Sequence, residues 1–203
     1  YNNYHILLDN FKYFKEFGGN YIYPEGTWEN MNNPGFAKLR DYINSKGMFD
    51  VNSDYNELVD KFFKYYFREA APVMRKYFNE VQVNLTINEN ITGGRVHSYG
   101  LSDNRVWPEA LVTGWLNSFD VAQNEILKYK DTDFELYEAL SKHILIESLF
   151  PRYVLCTKYD KSFSTSQIKE MRKSFLKDFE ALGNTTHQEH FVISVITSGW
   201  NLD

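Results

Sequence analysis

The sequence has little of three features that often indicate a function. Its single cysteine, Cys156, excludes an internal disulfide, and its neighbours Val154 and Leu155 favour a buried rather than a reactive thiol. No apolar run approaches the roughly 20 residues that a membrane span needs, so we predict no span. The net charge is −5 and basic residues are scattered among acids, which argues against a nucleic-acid partner.

Recognisable catalytic motifs are also absent from the sequence. It contains no phosphate-cradling glycine loop, no nucleophile elbow and no HExxH zinc helix. His187 and His190 are three residues apart, a spacing that zinc can use on a helix. His143 and Cys156 are the possible further ligands, but nothing in the sequence brings them near. We therefore predict no metal site and no cofactor.

Aromatic residues are abundant, at 17% of the chain. Bulky rings of this kind usually pack between helices. The alternative is that some rings are exposed in a groove and stack against the apolar faces of sugars. Composition does not separate these two interpretations.

The first part of the chain reads as one unit of an α/β fold. Apolar spacing predicts a helix over 4–17, which Gly18 ends. A short β-prone run follows at 20–23 and stops at Pro24. Because a lone strand is not stable, either its sheet lies upstream in a longer protein or the segment packs extended against helices.

Helices dominate the rest of the sequence up to the middle of the chain. A second helix is predicted over 36–45, with Gly47 closing it. A long helical run begins near Asp54, and Pro72 predicts a kink or a junction of two helices near 68–71. Helical periodicity then disappears over 84–107, which is long for a structureless loop and is a candidate for function.

Three or four antiparallel helices are predicted after residue 107, with Thr132 and Ser164 as caps and Pro151 as an interruption. The predicted fold class is therefore mainly α: a helical bundle preceded by a remnant α/β unit, the last strand and helices of a TIM-like barrel. The domains are a terminal barrel-like unit at 1–52 and a helical domain at 53–203, with an irregular insertion around 84–107.

The end of the predicted strand carries the most suggestive side chains, Tyr23, Glu25 and Trp28. Reactive residues of (β/α)8 barrels lie at the carboxyl ends of strands, so Glu25 is a weak catalytic candidate and all three are candidates for sugar binding. Glycoside hydrolysis usually needs two carboxylates, and Glu29 is close but not an obvious partner. Glu25 is otherwise a surface turn residue.

His97 and Trp107 lie in the irregular insertion and complete the substrate-binding candidates. Their alternative interpretation is that they only fill the loop.

Several segments resemble one bacterial family. These are LDNFKYFKEFG at 8–18, YIYPEG at 21–26, LRDYI at 39–43 and FFKYYFREAA at 62–71. Over about residues 5–80 the chain resembles the domain-of-unknown-function 4838 family. Two departures are Arg68, where the family commonly has glycine, and Gly47-Met48-Phe49-Asp50 in place of a Leu-Leu-Trp-like run.

That family is similar to glycoside hydrolases of the α-glucuronidase and hexosaminidase type, in which a barrel precedes a helical region. The resemblance implies the C-terminal portion of a bacterial carbohydrate-active protein, with carbohydrate and an upstream barrel domain as partners. The presumed acids would precede Tyr1, so we expect no activity from the isolated chain. A secreted or cell-surface location is favoured over the cytoplasm. The alternatives are a stand-alone helical module that binds a glycan or a protein, and a purely structural interaction domain.

Overall fold

The computed structural model describes residues 3–24, 32–89, 105–188, 191–200 and 202, and this part of the chain is mainly helical. The α-helices are α1 (Leu7–Glu16), α2 (Ala37–Phe49), α3 (Tyr55–Tyr66), α4 (Ala71–Ile87), α5 (Glu109–Glu125), α6 (Phe134–Lys158), α7 (Thr165–Ala181) and α8 (Ile193–Ile196). Single 3-10 turns lie at Tyr4–Ile6, Arg68–Ala70, Leu127–Tyr129 and Asp160–Ser162. None of the helices in these ranges is long and apolar enough to cross a membrane.

The first helix ends as predicted, but the predicted strand after it does not form. Gly18 adopts a φ of 81°, the left-handed conformation that ends a helix most easily at glycine. Residues 20–24 have no regular secondary structure and pair with no described strand. Tyr21 and Tyr23 are 92% and 90% exposed. The prediction of a strand at 20–23 is therefore wrong for this chain taken alone, since no neighbouring strand supplies a ladder.

The second helix does not end at Gly47, as the sequence predicted, but passes through it to Phe49. Gly47 is buried, and a Cβ at this position would stand only 2.6 Å from Phe11 Cδ2 and 2.7 Å from Leu8 Cδ2. Glycine is needed here because it lets α1 approach the backbone of α2, and not because it stops the helix.

The junction near Pro72 is confirmed. Helix α3 ends at Tyr66, a 3-10 turn follows, and α4 starts at Ala71 with Pro72 in its first turn. Proline fits there because the first N–H groups of a helix have no intrahelical partner. Arg68 begins the turn with a φ of 52°, in the left-handed region that favours glycine.

Helices α3 to α7 form the bundle, with α5 packed against both α4 and α6. The interruption predicted at Pro151 is wrong, because α6 continues through it to Lys158. Proline removes one intrahelical hydrogen bond. The residues on either side of it, Leu149, Val154 and Leu155 among them, are buried, and this packing maintains the helix.

Of the caps predicted at Ser164 and Thr132, the first is confirmed and the second is wrong by one residue. Ser164 and Gln167 form a capping box at the start of α7. The cap of α6 is Asp133 and not the adjacent Thr132, since the Asp133 carboxylate accepts from the Leu136 N–H. After α7, a short antiparallel hairpin of β1 (Thr186–Gln188) and β2 (Phe191–Val192) leads into α8.

Candidate functional site

The residues predicted to bind a sugar fall into three groups in the structure. Tyr23 is described and its side chain is almost fully exposed. Glu25, Trp28 and His97 lie outside the described residues. Trp107 is described, and its position corrects the prediction. Among the described residues, therefore, only Tyr23 stays a candidate for this site.

Trp107 is a core residue and is only 1% exposed. Its ring packs edge-on against Phe150 and Trp115, at centroid distances of 4.9 and 6.1 Å. The Trp107 carbonyl accepts a hydrogen bond of 2.5 Å from the Tyr159 hydroxyl. A ring enclosed in this way has no free face for a sugar, so Trp107 is removed from the candidate site.

Exposed rings are concentrated near the start of the chain. Tyr13 and Phe17 on and just after α1 are 64% and 71% exposed, and their centroids lie 4.5 Å apart. Together with Tyr21 and Tyr23 they form what we call the N-terminal aromatic surface. Since Tyr13 and Phe17 lie one helical turn apart, they share one face of α1. Leu8, buried against α2, belongs to the opposite face.

The possible metal ligands have other roles where the structure describes them. The His143 ring stacks on Tyr66 at 3.7 Å, and its Nδ1 lies 2.9 Å from the Tyr66 carbonyl oxygen. Burial lowers the pKa of His143 and raises the pKa of the Cys156 thiol to about 11. In the described part of the chain no group of three or more candidate ligands could hold a metal ion. The side chain of His187 and the whole of His190 are not described.

A buried carboxylate that the sequence analysis did not single out lies where α6 meets the start of α2. Glu147 is 3% exposed, and its Oε2 accepts from the Gly35 and Phe36 N–H groups at 2.8 and 2.9 Å. These two residues have φ values of 80° and 56°. The Tyr4 hydroxyl donates to their carbonyl oxygens on the other side. One sequence signal was present, an acid within the run 144–150, in which every other residue except Ser148 is apolar.

The Glu147 carboxyl group has a raised pKa. Burial raises its pKa to about 8, although the two N–H donors oppose this shift. Desolvation is the larger effect because the carboxyl group is enclosed by apolar packing. Tyr66 also has a pKa above its usual range, because of burial first and the nearby Glu147 second.

A groove runs along the outer side of α4, with a volume of about 660 Å³. Val83, Ile87 and Leu111 contribute apolar side chains to its lining. Arg75, Lys76 and Glu80 contribute charged ones. None of its described lining residues is aromatic. The groove therefore offers no stacking surface for a sugar ring.

Comparison with known proteins gives one finding. Residues 1–79, which contain α1 to most of α4, match the family model described as Domain of unknown function (DUF4838). This match supports the assignment of the N-terminal part of the chain to that domain family. Neither curated proteins nor solved structures give a significant match.

Proposed function

We propose that this chain is the helical part of a glycoside-hydrolase-like, carbohydrate-active protein. In this proposal α1, residues 18–36 and α2 form an α/β unit that packs against a barrel domain of the same protein. The observation that carries the proposal is the N-terminal aromatic surface, whose four rings are each at least 64% exposed.

The relative direction of α1 and α2 supports this arrangement. Tyr4, just before α1, bonds to Gly35 and Phe36 at the start of α2, whereas Phe11 contacts Gly47 near the end of α2. These contacts favour a common general direction for the two helices. Helices of successive units in a (β/α)8 barrel also run in the same direction, with a strand between them.

The unpaired segment fits the same arrangement. In an extended conformation Tyr21 and Tyr23 would point to one side and Ile22 to the other. A segment with apolar side chains on both sides is typical of a buried parallel strand, which needs neighbours on both edges. We propose that such neighbours belong to the barrel domain, and that Tyr23, Glu25, Trp28 and His97 contribute to a sugar site beside it.

A stand-alone binding module remains the second candidate. One core of buried residues runs continuously from Tyr4 through α2 to α6, so the bundle does not need the exposed segment to enclose its interior. In this alternative the N-terminal aromatic surface itself binds a glycan or a partner protein.

Sugar binding is tested with the double variant Tyr21→Ser/Tyr23→Ser and the control Tyr65→Ser, which removes an exposed ring from α3. We expect oligosaccharide affinity, measured by calorimetry, to fall at least about tenfold in the double variant, or about 1.4 kcal/mol, and to stay constant in the control. Equal affinity in all three proteins contradicts a role of these rings in sugar binding.

Catalysis is tested separately on a panel of aryl glycosides. We expect no turnover from the isolated chain, because glycoside hydrolysis usually needs two carboxylates and Glu25 is the single catalytic candidate. Robust hydrolysis that Glu25→Gln abolishes would show instead that this chain is itself the enzyme.

A further inference from the structure

Residues 32–36 connect the α1–α2 unit to the bundle through a small set of polar contacts. The Asn32 side chain donates to the Leu182 carbonyl oxygen at 2.6 Å, and the Asn184 side chain donates to the Asn32 carbonyl oxygen at 3.1 Å. These bonds fix one end of the segment to the end of α7. The other end, at Gly35 and Phe36, is bound to α6 by the Glu147 carboxyl group.

The backbone at Gly35 and Phe36 is shaped for a single acceptor. Two consecutive residues in the left-handed region direct their N–H groups to the same side, so that both donate to one carboxyl oxygen. Glycine adopts this conformation readily, but Phe36 does so at a cost. Phe36 is nevertheless held there, because its ring packs against Phe63 and Phe78 at 5.6 and 5.0 Å.

In the part of the chain that the structure describes, no cation balances the Glu147 carboxyl group. Glu147 forms no ion pair with any residue in the described ranges. The titratable groups around it are Tyr4 before α1, Tyr66 on α3 and His143 one turn earlier on α6. On α2, Arg40 follows one turn after Phe36, and the end of α7 contributes the uncharged Asn184.

We propose that the protonation state of Glu147 controls the attachment of the α1–α2 unit to the bundle. The protonated carboxyl group keeps residues 32–36 closed against α6, and loss of its proton favours their release. An ionised carboxylate enclosed without a cation is unstable relative to the same group in water. Opening of the segment would rehydrate it.

The direction of the pH effect follows from linkage. The pKa of Glu147 is about 8 in the closed state and near 4.5 when the group is in water. A raised pKa in the closed state means that the stabilisation is complete below the lower value and is lost as the pH rises through the higher one. Between these values the opening equilibrium should increase about tenfold per pH unit, because one proton is released.

The experiment follows the Gly35 and Phe36 amides by NMR in the full 203-residue chain between pH 5 and 10. Both amide signals should titrate together with a midpoint near 8, above the range of His143 and below that of Tyr66. After correction for intrinsic exchange, hydrogen exchange at these amides should accelerate about tenfold per pH unit from about 5 to 8.

Glu147→Gln keeps an acceptor oxygen and cannot ionise, so both pH dependences should disappear. Glu138→Gln, an exposed position on the same helix, is the matched control and should behave like the wild type. If Glu147→Gln fails to fold, the titration of the wild-type amides still decides the question. Amides that do not titrate between pH 6 and 9, or that titrate unchanged in Glu147→Gln, overturn the proposal. The measurement involves no sugar, so its outcome is independent of the proposed function.

Discussion

Aromatic residues are placed oppositely in two regions of this molecule. In the bundle and at the start of α2, rings such as Phe36, Phe63, Phe78 and Trp115 are buried and contact one another at tilted or perpendicular angles. In the first 24 residues most described rings are exposed. The two interpretations of the aromatic content, core packing and exposed stacking, therefore each apply to one region.

The difference follows from the position of each helix. Helix α5 has α4 on one side and α6 on the other, so its apolar positions are covered from both directions. Helix α1 packs chiefly on α2, and its opposite face is open. Aromatic-rich segments therefore have buried rings at the centre of the helical assembly and exposed rings at its edge. Four changes would break or sharpen this comparison.

The largest effect is expected for Trp115→Ala, and Phe17→Ala is the variant with which it is compared. Trp115 is 1% exposed, contacts Tyr77 and Trp107, and donates from Nε1 to Glu80 at 3.0 Å. Its truncation should lower the free energy of unfolding by about 3–5 kcal/mol.

Phe17→Ala should change the free energy of unfolding by less than about 0.5 kcal/mol, because the side chain is largely exposed. Urea denaturation monitored by circular dichroism measures both values. A loss at Phe17 as large as that at Trp115 would contradict the distinction between the two regions.

The second effect tests the contact of α1 with α2. Gly47→Ala places a methyl group in the space of Leu8 and Phe11, and such overpacking should cost about 1–3 kcal/mol. Gly114→Ala is the matched control, since no atom lies within 4 Å of its added Cβ on α5. The control should stabilise the chain by about 0.5–1 kcal/mol. The melting temperature should therefore fall in Gly47→Ala and rise in Gly114→Ala. A shift in the same direction for both variants would contradict the prediction.

The elements of the bundle were largely predictable because local signals specify them. The Pro72 junction, the Gly18 stop and the Ser164 cap each act within a few residues of the position that carries the signal. The errors at Gly47 and Pro151 have the opposite origin. There, contacts with other helices decided the local conformation, and a single sequence without its packing does not contain them.

The candidate site was less predictable for the same reason. Trp107 stands in a segment of irregular sequence, yet its ring is enclosed by Trp115 and Phe150. Glu147 is separated by more than 100 residues from the two N–H groups that it binds. Neither placement follows from spacing along the chain. The exposure of Tyr23 is compatible with the prediction of a binding residue but does not test it.

The third effect concerns helix caps. Side-chain caps are present on α3, α6 and α7 but not on α1, α2, α4 or α5. Ser164→Ala removes the capping box of α7 and should cost about 1 kcal/mol in the free energy of unfolding. Ser164→Asp should keep most of the stability that Ser164→Ala loses. Ser45→Ala, exposed within α2, is the control and should be neutral or slightly stabilising. A loss at Ser45 equal to that at Ser164 would refute capping as the cause.

The smallest effect is expected at Arg68, where the chain departs from the pattern that it resembles. Arg68 has a φ of 52°, and replacing it with glycine removes the steric penalty of a left-handed side-chain-bearing residue. The gain is reduced by the greater entropy of glycine in the unfolded chain and by loss of the contact between the guanidinium and the Tyr65 ring, 5.7 Å away. We therefore expect Arg68→Gly to raise the free energy of unfolding by about 0.5 kcal/mol. Arg68→Ala should leave the free energy of unfolding unchanged or lower it, because alanine keeps the steric penalty and loses the contact with the ring. Denaturant titrations of the three proteins measure this order. If Arg68→Ala were the most stable, the left-handed backbone would not be the reason that glycine suits this junction.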